Sequence, residues 1–224
     1  MDTALLLLAD GRFPTGGHAQ SAGVEAAVAT GDVHDEASLR RYLDGRLATT
    51  GVVDAAFGAA AGARFAGVDP HSAFHELDRE LDARIRSPRT RLVSRRLGRQ
   101  LLRVGRSAWP HPLLDWLAAP PGPHQALASG AMVAAAGGTP DHAARLAMHH
   151  LAAAVTGAAV RLLGLDPFAA AAMQADVAAL VDQLVAPVAT WATCAPADLP
   201  AVGGALTEIL AEHHGAWDAR LFVA

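Results

Sequence analysis

The chain has 224 residues, of which 52% are hydrophobic and only 5% aromatic. This length suffices for a sizeable core, and the small apolar side chains are typical of closely packed helices. The formal net charge of -4 gives no support to a general nucleic-acid binder. All 18 basic residues are arginine, which excludes enzymes that need a lysine in a phosphate-binding loop, in a pyridoxal Schiff base or as a general base.

Other bulk features indicate the compartment. The single Cys194 cannot form an internal disulfide, which fits a reducing cytoplasm. The leucines from Leu5 to Leu8 follow no basic region and therefore do not indicate a secretory signal. The longest apolar run, residues 151–160, is well short of the ~20 residues that span a bilayer. We therefore expect a soluble, cytoplasmic protein.

Capping residues and apolar periodicity predict a series of helices. Asp35 can cap an amphipathic helix that reaches Leu47, and Pro70 begins a helix that runs to Leu81. Three later helices are predicted over residues 140–163, 168–185 and 198–213, and the Pro-rich stretch 110–123 is predicted to be a loop. No segment alternates between apolar and polar residues, as a half-buried strand would. We therefore predict one all-α domain over residues 1–224, a bundle of roughly nine or ten packed helices.

Nine arginines and no acidic residue lie between residues 84 and 106. At 100° per residue, five of them share one helix face opposite an apolar face: Arg91, Arg95, Arg99, Arg103 and Arg106. Ser94, Gly98 and Gly105 lie along an edge between these faces, where a second helix can approach closely. Three interpretations stay open: a face paired with the chain's own acids, a docking surface for an acidic partner, or a nucleic-acid groove. The last is weakest, because no aromatic residues are interleaved to stack bases.

The eleven histidines do not form a recognisable metal motif. His71 and His75 are four residues apart and can share a helix face, whereas the adjacent pairs at 149–150 and 213–214 point in different directions. The chain has neither a His-Glu-x-x-His pattern nor a cysteine-rich site. Ser21 lacks the first glycine of a nucleophile elbow. We therefore predict no stable metal site and no catalytic residue.

The segment from Pro14 to Glu25 combines a tight turn with a polar helix start. Pro14 has a fixed backbone φ angle, whereas Gly16 and Gly17 can adopt φ angles that other residues avoid. This combination is typical of a turn that presents a surface. Glu25 follows in the next helix, where an acid can pair with an arginine or contact a partner.

Three segments together carry a resemblance to a known family. The first is Leu5-Leu6-Leu7-Leu8-Ala9-Asp10, then Arg12-Phe13-Pro14-Thr15-Gly16-Gly17-His18, then Ser21-x-Gly23-x-Glu25. The second is Ser94-x-x-x-Gly98-Arg99 with Leu101-Leu102, and the third is His214 followed six residues later by Arg220-Leu221-Phe222. In this order and spacing they resemble the urease accessory protein UreF in its actinobacterial form, over essentially the whole chain.

The resemblance implies a homodimer of packed helices without catalysis or a cofactor of its own. It further implies a bridge between the accessory protein UreD, also called UreH, and the GTPase UreG on apo-urease. Nickel would then reach the urease active site through the assembled complex, with GTP bound by UreG. Together with the arginine face, it gives these candidate partner-binding residues: Pro14, Gly16, Gly17, His18, Ser21, Glu25, Arg95, Arg99, Arg103, His214, Arg220, Leu221 and Phe222.

The sequence also departs from the common pattern of that family. His18 and Gln20 stand where aromatic residues are common, Gly164-Leu165-Asp166-Pro167 replaces a Pro-Leu-Gly-Gln run, and Gly215 replaces an acid. We expect these changes to affect partner contacts and not the fold. Two functions from other classes stay open: a metal-dependent hydrolase that uses the histidines, and a nucleic-acid binder that uses the arginine helix.

The last eight residues, 217–224, follow a helix end predicted near Gly215. This tail is too short to bury Trp217, Leu221 and Phe222 by itself. We expect it to be mobile in the free protein and to become ordered on UreD. The alternative is that the tail packs onto its own core.

Overall fold

Helices make up 73% of the computed structural model, which describes residues 3–14, 20–218 and 221–222. Thirteen α-helices and no strand occur in these ranges. Five of the helices have seven residues or fewer, so the number of longer helices is close to the predicted nine or ten. The all-α prediction is confirmed.

The helices follow one another with short connections. They are α1 (Thr3–Ala9), α2 (Val24–Ala29), α3 (Glu36–Arg46), α4 (Val52–Arg64), α5 (Pro70–Arg84), α6 (Pro88–Ala108), α7 (Pro112–Leu117), α8 (Gln125–Ala135), α9 (Pro140–Leu163), α10 (Pro167–Asp176), α11 (Ala178–Leu184), α12 (Val188–Thr193) and α13 (Ala205–Gly215). A π-helical segment, Leu47–Gly51, joins α3 to α4, and a 3-10 turn, Pro196–Asp198, precedes α13.

Side-chain caps explain why the predicted helix starts are correct. The carboxylate of Asp35 accepts a hydrogen bond from the Ser38 amide at 2.7 Å, and the hydroxyl of Thr139 accepts one from the His142 amide at 3.4 Å. Proline fills a first-turn position of α5, α6, α7, α9 and α10. Both devices satisfy or remove amides that have no partner within the helix.

Two predicted boundaries are wrong. The helix predicted over 168–185 is interrupted at Val177, between α10 and α11. The helix predicted from 198 begins only at Ala205, because the Arg84 guanidinium occupies the carbonyls that a helix there would use. Arg84 donates to the carbonyl oxygens of Pro196, Ala197, Leu199 and Pro200.

The Pro-rich stretch 110–123 contains a helix, which corrects its prediction as a loop. The ring Nδ1 of His111 accepts a hydrogen bond from the Leu113 amide at 3.1 Å and caps α7. The next residue, Pro112, occupies the first position of that helix. A histidine cap is less recognisable in a sequence than Ser, Thr, Asp or Asn, which are the preferred capping residues.

The core is centred on α4 and α9, which pack against each other and against α8. Small side chains on α4 let these helices approach closely, and Ala55, Ala56, Ala59 and Ala60 are fully buried. Among the described residues, α9 is the one helix long and apolar enough to suit a membrane span. It packs against α1, α4, α8 and α10, so its apolar side chains are those of a core helix.

Two histidines of α9 hold α1 in place. The Nε2 of His150 donates to the Leu8 carbonyl at 3.0 Å, and the Nε2 of His149 donates to the Ala9 carbonyl at 3.2 Å. Burial lowers the pKa of His150 from 6.5 to about 4, because the protein around it disfavours the charged imidazolium.

We predict that His150→Gln reduces the loss of stability in acid. The unfolded chain takes up a proton on this histidine near pH 6.5, whereas the folded chain does so only near about pH 4. The unfolded state therefore binds more protons in this window, and stability falls as the pH decreases through it. Glutamine keeps an N–H donor for the Leu8 carbonyl but does not titrate.

Thermal melts between neutral pH and about pH 4 check this prediction. The drop in Tm should be smaller for His150→Gln than for the parent. His149→Gln is the matched control, since His149 makes a similar bond from an exposed position. Equal effects of the two substitutions would count against a specific contribution of His150.

Candidate functional site

Glu25 lies at a junction between the N-terminal and C-terminal segments of the chain. It stands in the first turn of α2 and is only 9% exposed. Its Oε2 accepts hydrogen bonds from His214 Nε2 at 2.8 Å and from the Phe222 amide at 3.0 Å. Its Oε1 accepts one from the Leu221 amide at 2.7 Å. We call these four residues the Glu25 junction; its three donors offset the loss of hydration of the carboxylate.

The local sequence before Glu25 positions its side chain. Gly23 precedes α2 with a φ of 85°, and a Cβ at this position would lie 2.7 Å from the hydroxyl oxygen of Tyr42. That hydroxyl donates to the Ala22 carbonyl at 2.9 Å. Ser21 is 1% exposed, and its Oγ accepts from the Glu25 amide at 3.4 Å. The Ser-x-Gly-x-Glu pattern therefore has a structural cause, because it turns the chain sharply and aims Glu25 inward.

This geometry shows which of the N-terminal candidate partner-binding residues are accessible in the free chain. Ser21 and Glu25 are buried within the fold, so they form no accessible surface in the free chain, and their contact with a partner stays a prediction. Pro14 is exposed, as that prediction requires. Gly16, Gly17 and His18 lie outside the described residues.

His214 connects the end of α13 to the tail. The helix ends at Gly215, which confirms the predicted boundary. The His214 side chain is 2% exposed, and its ring lies edge-on to Trp217 with the centroids 4.8 Å apart. Its second ring nitrogen, Nδ1, has no hydrogen-bond partner among the described residues. His214 is therefore an internal link in the free chain, and its role as a partner contact stays a prediction.

Phe222 of the tail packs onto the chain's own core, so the expectation of a mobile tail is wrong for this residue. Phe222 is 3% exposed, and the Arg161 guanidinium carbon lies 4.1 Å from the centre of its ring. Trp217 packs against the same core. Leu221, in contrast, is 62% exposed and stays available to a partner. Arg220 lies outside the described residues.

The arginine face of α6 is largely paired within the chain. The Arg95 side chain is 16% exposed and contacts the carboxylates of Asp78 and Asp82 on α5 at 2.9 and 2.8 Å. Arg99 is exposed and donates to the Pro121 carbonyl at 2.6 Å. Arg103 is exposed, with no hydrogen-bond or ion-pair partner in the described part of the chain. Pairing with the chain's own acids thus holds for Arg95, and its role as a docking residue stays a prediction.

The edge of α6 that carries Ser94 and Gly98 is covered by the start of α8, as predicted for a close approach. A Cβ on Gly98 would collide with the Pro123 carbonyl. The buried ring of His124 contacts Ser94 Oγ and Asp82, each at 3.1 Å. Burial lowers the pKa of His124 below its usual value, and the Arg95 charge adds to this effect. His124 was not among the predicted site residues, although two acids spaced i,i+4 on α5 are a recognisable complement to an arginine helix.

Large apolar side chains are exposed along the C-terminal segment. Leu206 and Ile209, three residues apart on α13, are 61% and 56% exposed. We call these two side chains and the exposed Leu221 the C-terminal apolar surface. Large apolar side chains exposed close together mark protein interaction sites in many proteins. Both α13, which packs on α2, and the tail are held in position by the Glu25 junction.

We predict that Glu25→Gln releases the tail. The neutral amide has one acceptor oxygen in place of a carboxylate with two, so it cannot receive all three donors equally well. The lost charged hydrogen bonds should speed hydrogen exchange of the Leu221 and Phe222 amides by roughly ten- to hundredfold. Glu36→Gln, at an exposed position in the first turn of α3, is the matched control. Unchanged exchange at both amides would show that the junction does not fix the tail.

Comparison with known proteins gives the family. A sequence model of the UreF family matches residues 33–178. A urease accessory protein UreF from Mycolicibacterium vanbaalenii is 40% identical over 220 residues, covering 98% of this chain and 97% of its own length. Those from Mycobacterium marinum and Mycobacterium tuberculosis are 39% and 36% identical with the same coverage. The family match spans more than half of the chain and the relatives extend it to both ends, so the chain belongs to the UreF family of urease accessory proteins.

Proposed function

We propose that this chain is a non-catalytic scaffold of urease maturation in the cytoplasm. As a homodimer, it binds UreD (UreH) and UreG on apo-urease and so permits GTP-dependent delivery of nickel. Membership of the UreF family supports the general role. The observation that supports a specific contact is the C-terminal apolar surface, which the Glu25 junction holds in position.

We assign this surface to UreD. Each of its three side chains contributes about 2 kcal/mol when a partner removes it from water. A tail that is already fixed on its own core loses little conformational entropy on binding, which favours the complex further. The buried members of the junction, Glu25, His214 and Phe222, act through the position that they give to Leu221. They are positioning residues and not contacts.

We predict that Leu206→Ser, Ile209→Ser and Leu221→Ser each weaken binding of purified UreD by about thirtyfold. These side chains are more than half exposed, so the substitutions should leave the Tm of the free protein nearly unchanged. Calorimetry or surface plasmon resonance with UreD measures the affinity.

Leu6→Ser is the matched control, because Leu6 is a leucine of similar exposure, 53%, on the distant helix α1. It should bind UreD normally. A triple variant at positions 206, 209 and 221 that captures UreD as well as the parent would contradict the assigned surface. Urease activation in cells that carry the triple variant should fall together with UreD binding.

Nucleotide chemistry is assigned to the partner UreG. The chain has no lysine for a phosphate-binding loop. We predict that the purified chain neither binds GTP at micromolar concentrations nor hydrolyses it. Equilibrium binding of a fluorescent GTP analogue checks this, with UreG as the positive control. Saturable binding by the chain alone would contradict the scaffold role.

A further inference from the structure

A groove opens between α3 and the start of α13, and Leu206 forms part of its wall. Its volume is about 250 Å³. Pockets for drug-sized molecules usually measure about 300–1,000 Å³, so this groove is small for a ligand of that kind. A space of this size is suited to one or two apolar side chains of another protein, as at the centre of many interfaces.

The floor of the groove is apolar. Ala27 of α2 and Leu210 of α13 are buried beneath it. Tyr42 of α3 is half-buried at its side, and its hydroxyl group donates a hydrogen bond to the Ala22 carbonyl, which fixes the ring. Leu206 at the edge is 61% exposed. An apolar side chain that displaces water from such a floor gains free energy, because it removes apolar surface from water on both sides.

A glycine keeps the α3 side of the groove open. Gly45 is an exposed residue in the last turn of α3, and a Cβ at this position would meet no atom within 4 Å. Most other residues would be more favourable than glycine in this helical position. The missing side chain leaves space that the fold itself does not fill.

The rim of the groove is positively charged. Its lining includes two arginines, Arg41 and Arg46, and one acid, Asp32. Arg41 stands four residues before Gly45 on the same face of α3, is exposed, and has no hydrogen bond or ion pair within the described ranges. Asp32, in contrast, accepts a hydrogen bond from the Thr30 hydroxyl at 2.7 Å. A free guanidinium beside an apolar floor favours a partner segment with a carboxylate next to its apolar side chain.

We propose that this groove receives an apolar side chain of UreD that is flanked by an acidic residue. The inference rests on the proposed function, which assigns the C-terminal apolar surface to UreD, and Leu206 belongs to both that surface and the groove. The apolar side chain fills the space beside Gly45, and the carboxylate pairs with Arg41. The groove thereby selects one segment of UreD, which the exposed side chains of the C-terminal apolar surface do not do by themselves.

Substitutions at Gly45 test the groove. Gly45→Trp puts an indole into the open space and should weaken binding of purified UreD by at least about tenfold. Gly45→Ala is the matched control, since a methyl group leaves most of the space free. It should bind UreD like the parent, and its Tm should rise by about 2–4 °C, because alanine favours the helix. Thermal melts show whether each variant folds, and Gly45→Leu is a smaller blocking variant.

Charge reversal tests the acidic flank. Arg41→Glu should weaken UreD binding by about tenfold at low salt, and the difference from the parent should shrink at about 1 M salt, where the Debye length is about 3 Å. Arg79→Glu, at an exposed arginine on α5, is the matched control and should bind UreD like the parent. Arg41→Glu with unchanged affinity at low salt would overturn the acidic flank.

The outcomes separate the groove from the proposed function. Folded Gly45→Trp and Gly45→Leu that bind UreD as tightly as the parent, while Leu206→Ser, Ile209→Ser and Leu221→Ser weaken the complex, would overturn the groove and leave the UreD surface in place. Normal binding by all of these variants would overturn both. Loss of self-association in Gly45→Trp, measured by size-exclusion chromatography, with UreD binding intact would assign the groove to a second copy of this chain and so overturn the proposal.

Discussion

The carboxylate of Glu25 must be satisfied inside the protein, and the donors that satisfy it come from the other end of the chain. His214 is 189 residues away in sequence. Removing a carboxylate from water costs several kcal/mol, so Glu25 is tolerated only when α2, α13 and the tail are all in place. Because the amides of Leu221 and Phe222 are both bound, these two residues have one orientation. Phe222 is then buried and Leu221 faces outward.

Arginine side chains stabilise the segments that lead to this junction. Arg84 holds four carbonyls before α13, and Arg64 donates to the carbonyls of Ala192 and Cys194 at 3.1 and 2.6 Å. A guanidinium has five N–H donors in a planar arrangement, so a single side chain can satisfy several carbonyls where the chain leaves a helix. A chain that uses arginine as its only basic residue can therefore commit part of its positive charge to its own carbonyls and carboxylates. The charge that remains available to partners is smaller than the sequence indicates.

The predictions from the sequence were accurate where the stabilising interactions are local. They were inaccurate where the interactions join residues that are far apart in the chain. Helix starts at Asp35, Pro70 and Thr139 were predictable because caps act within a few residues. The delayed start of α13 was not, since it depends on Arg84, more than a hundred residues earlier. The resemblance to UreF singled out Glu25, His214 and Leu221, but it contained no information that these residues contact one another. That contact is the basis for proposing that Glu25 and His214 act as positioning residues.

We infer that Glu25 already fixes the Leu221 and Phe222 amides in the free protein. Nuclear magnetic resonance relaxation of the isolated protein, without UreD, tests it at the Leu221 and Phe222 amides. Order parameters near about 0.85, as in rigid backbone, are the predicted result. Values below about 0.6 at both amides would show a flexible tail and contradict the account.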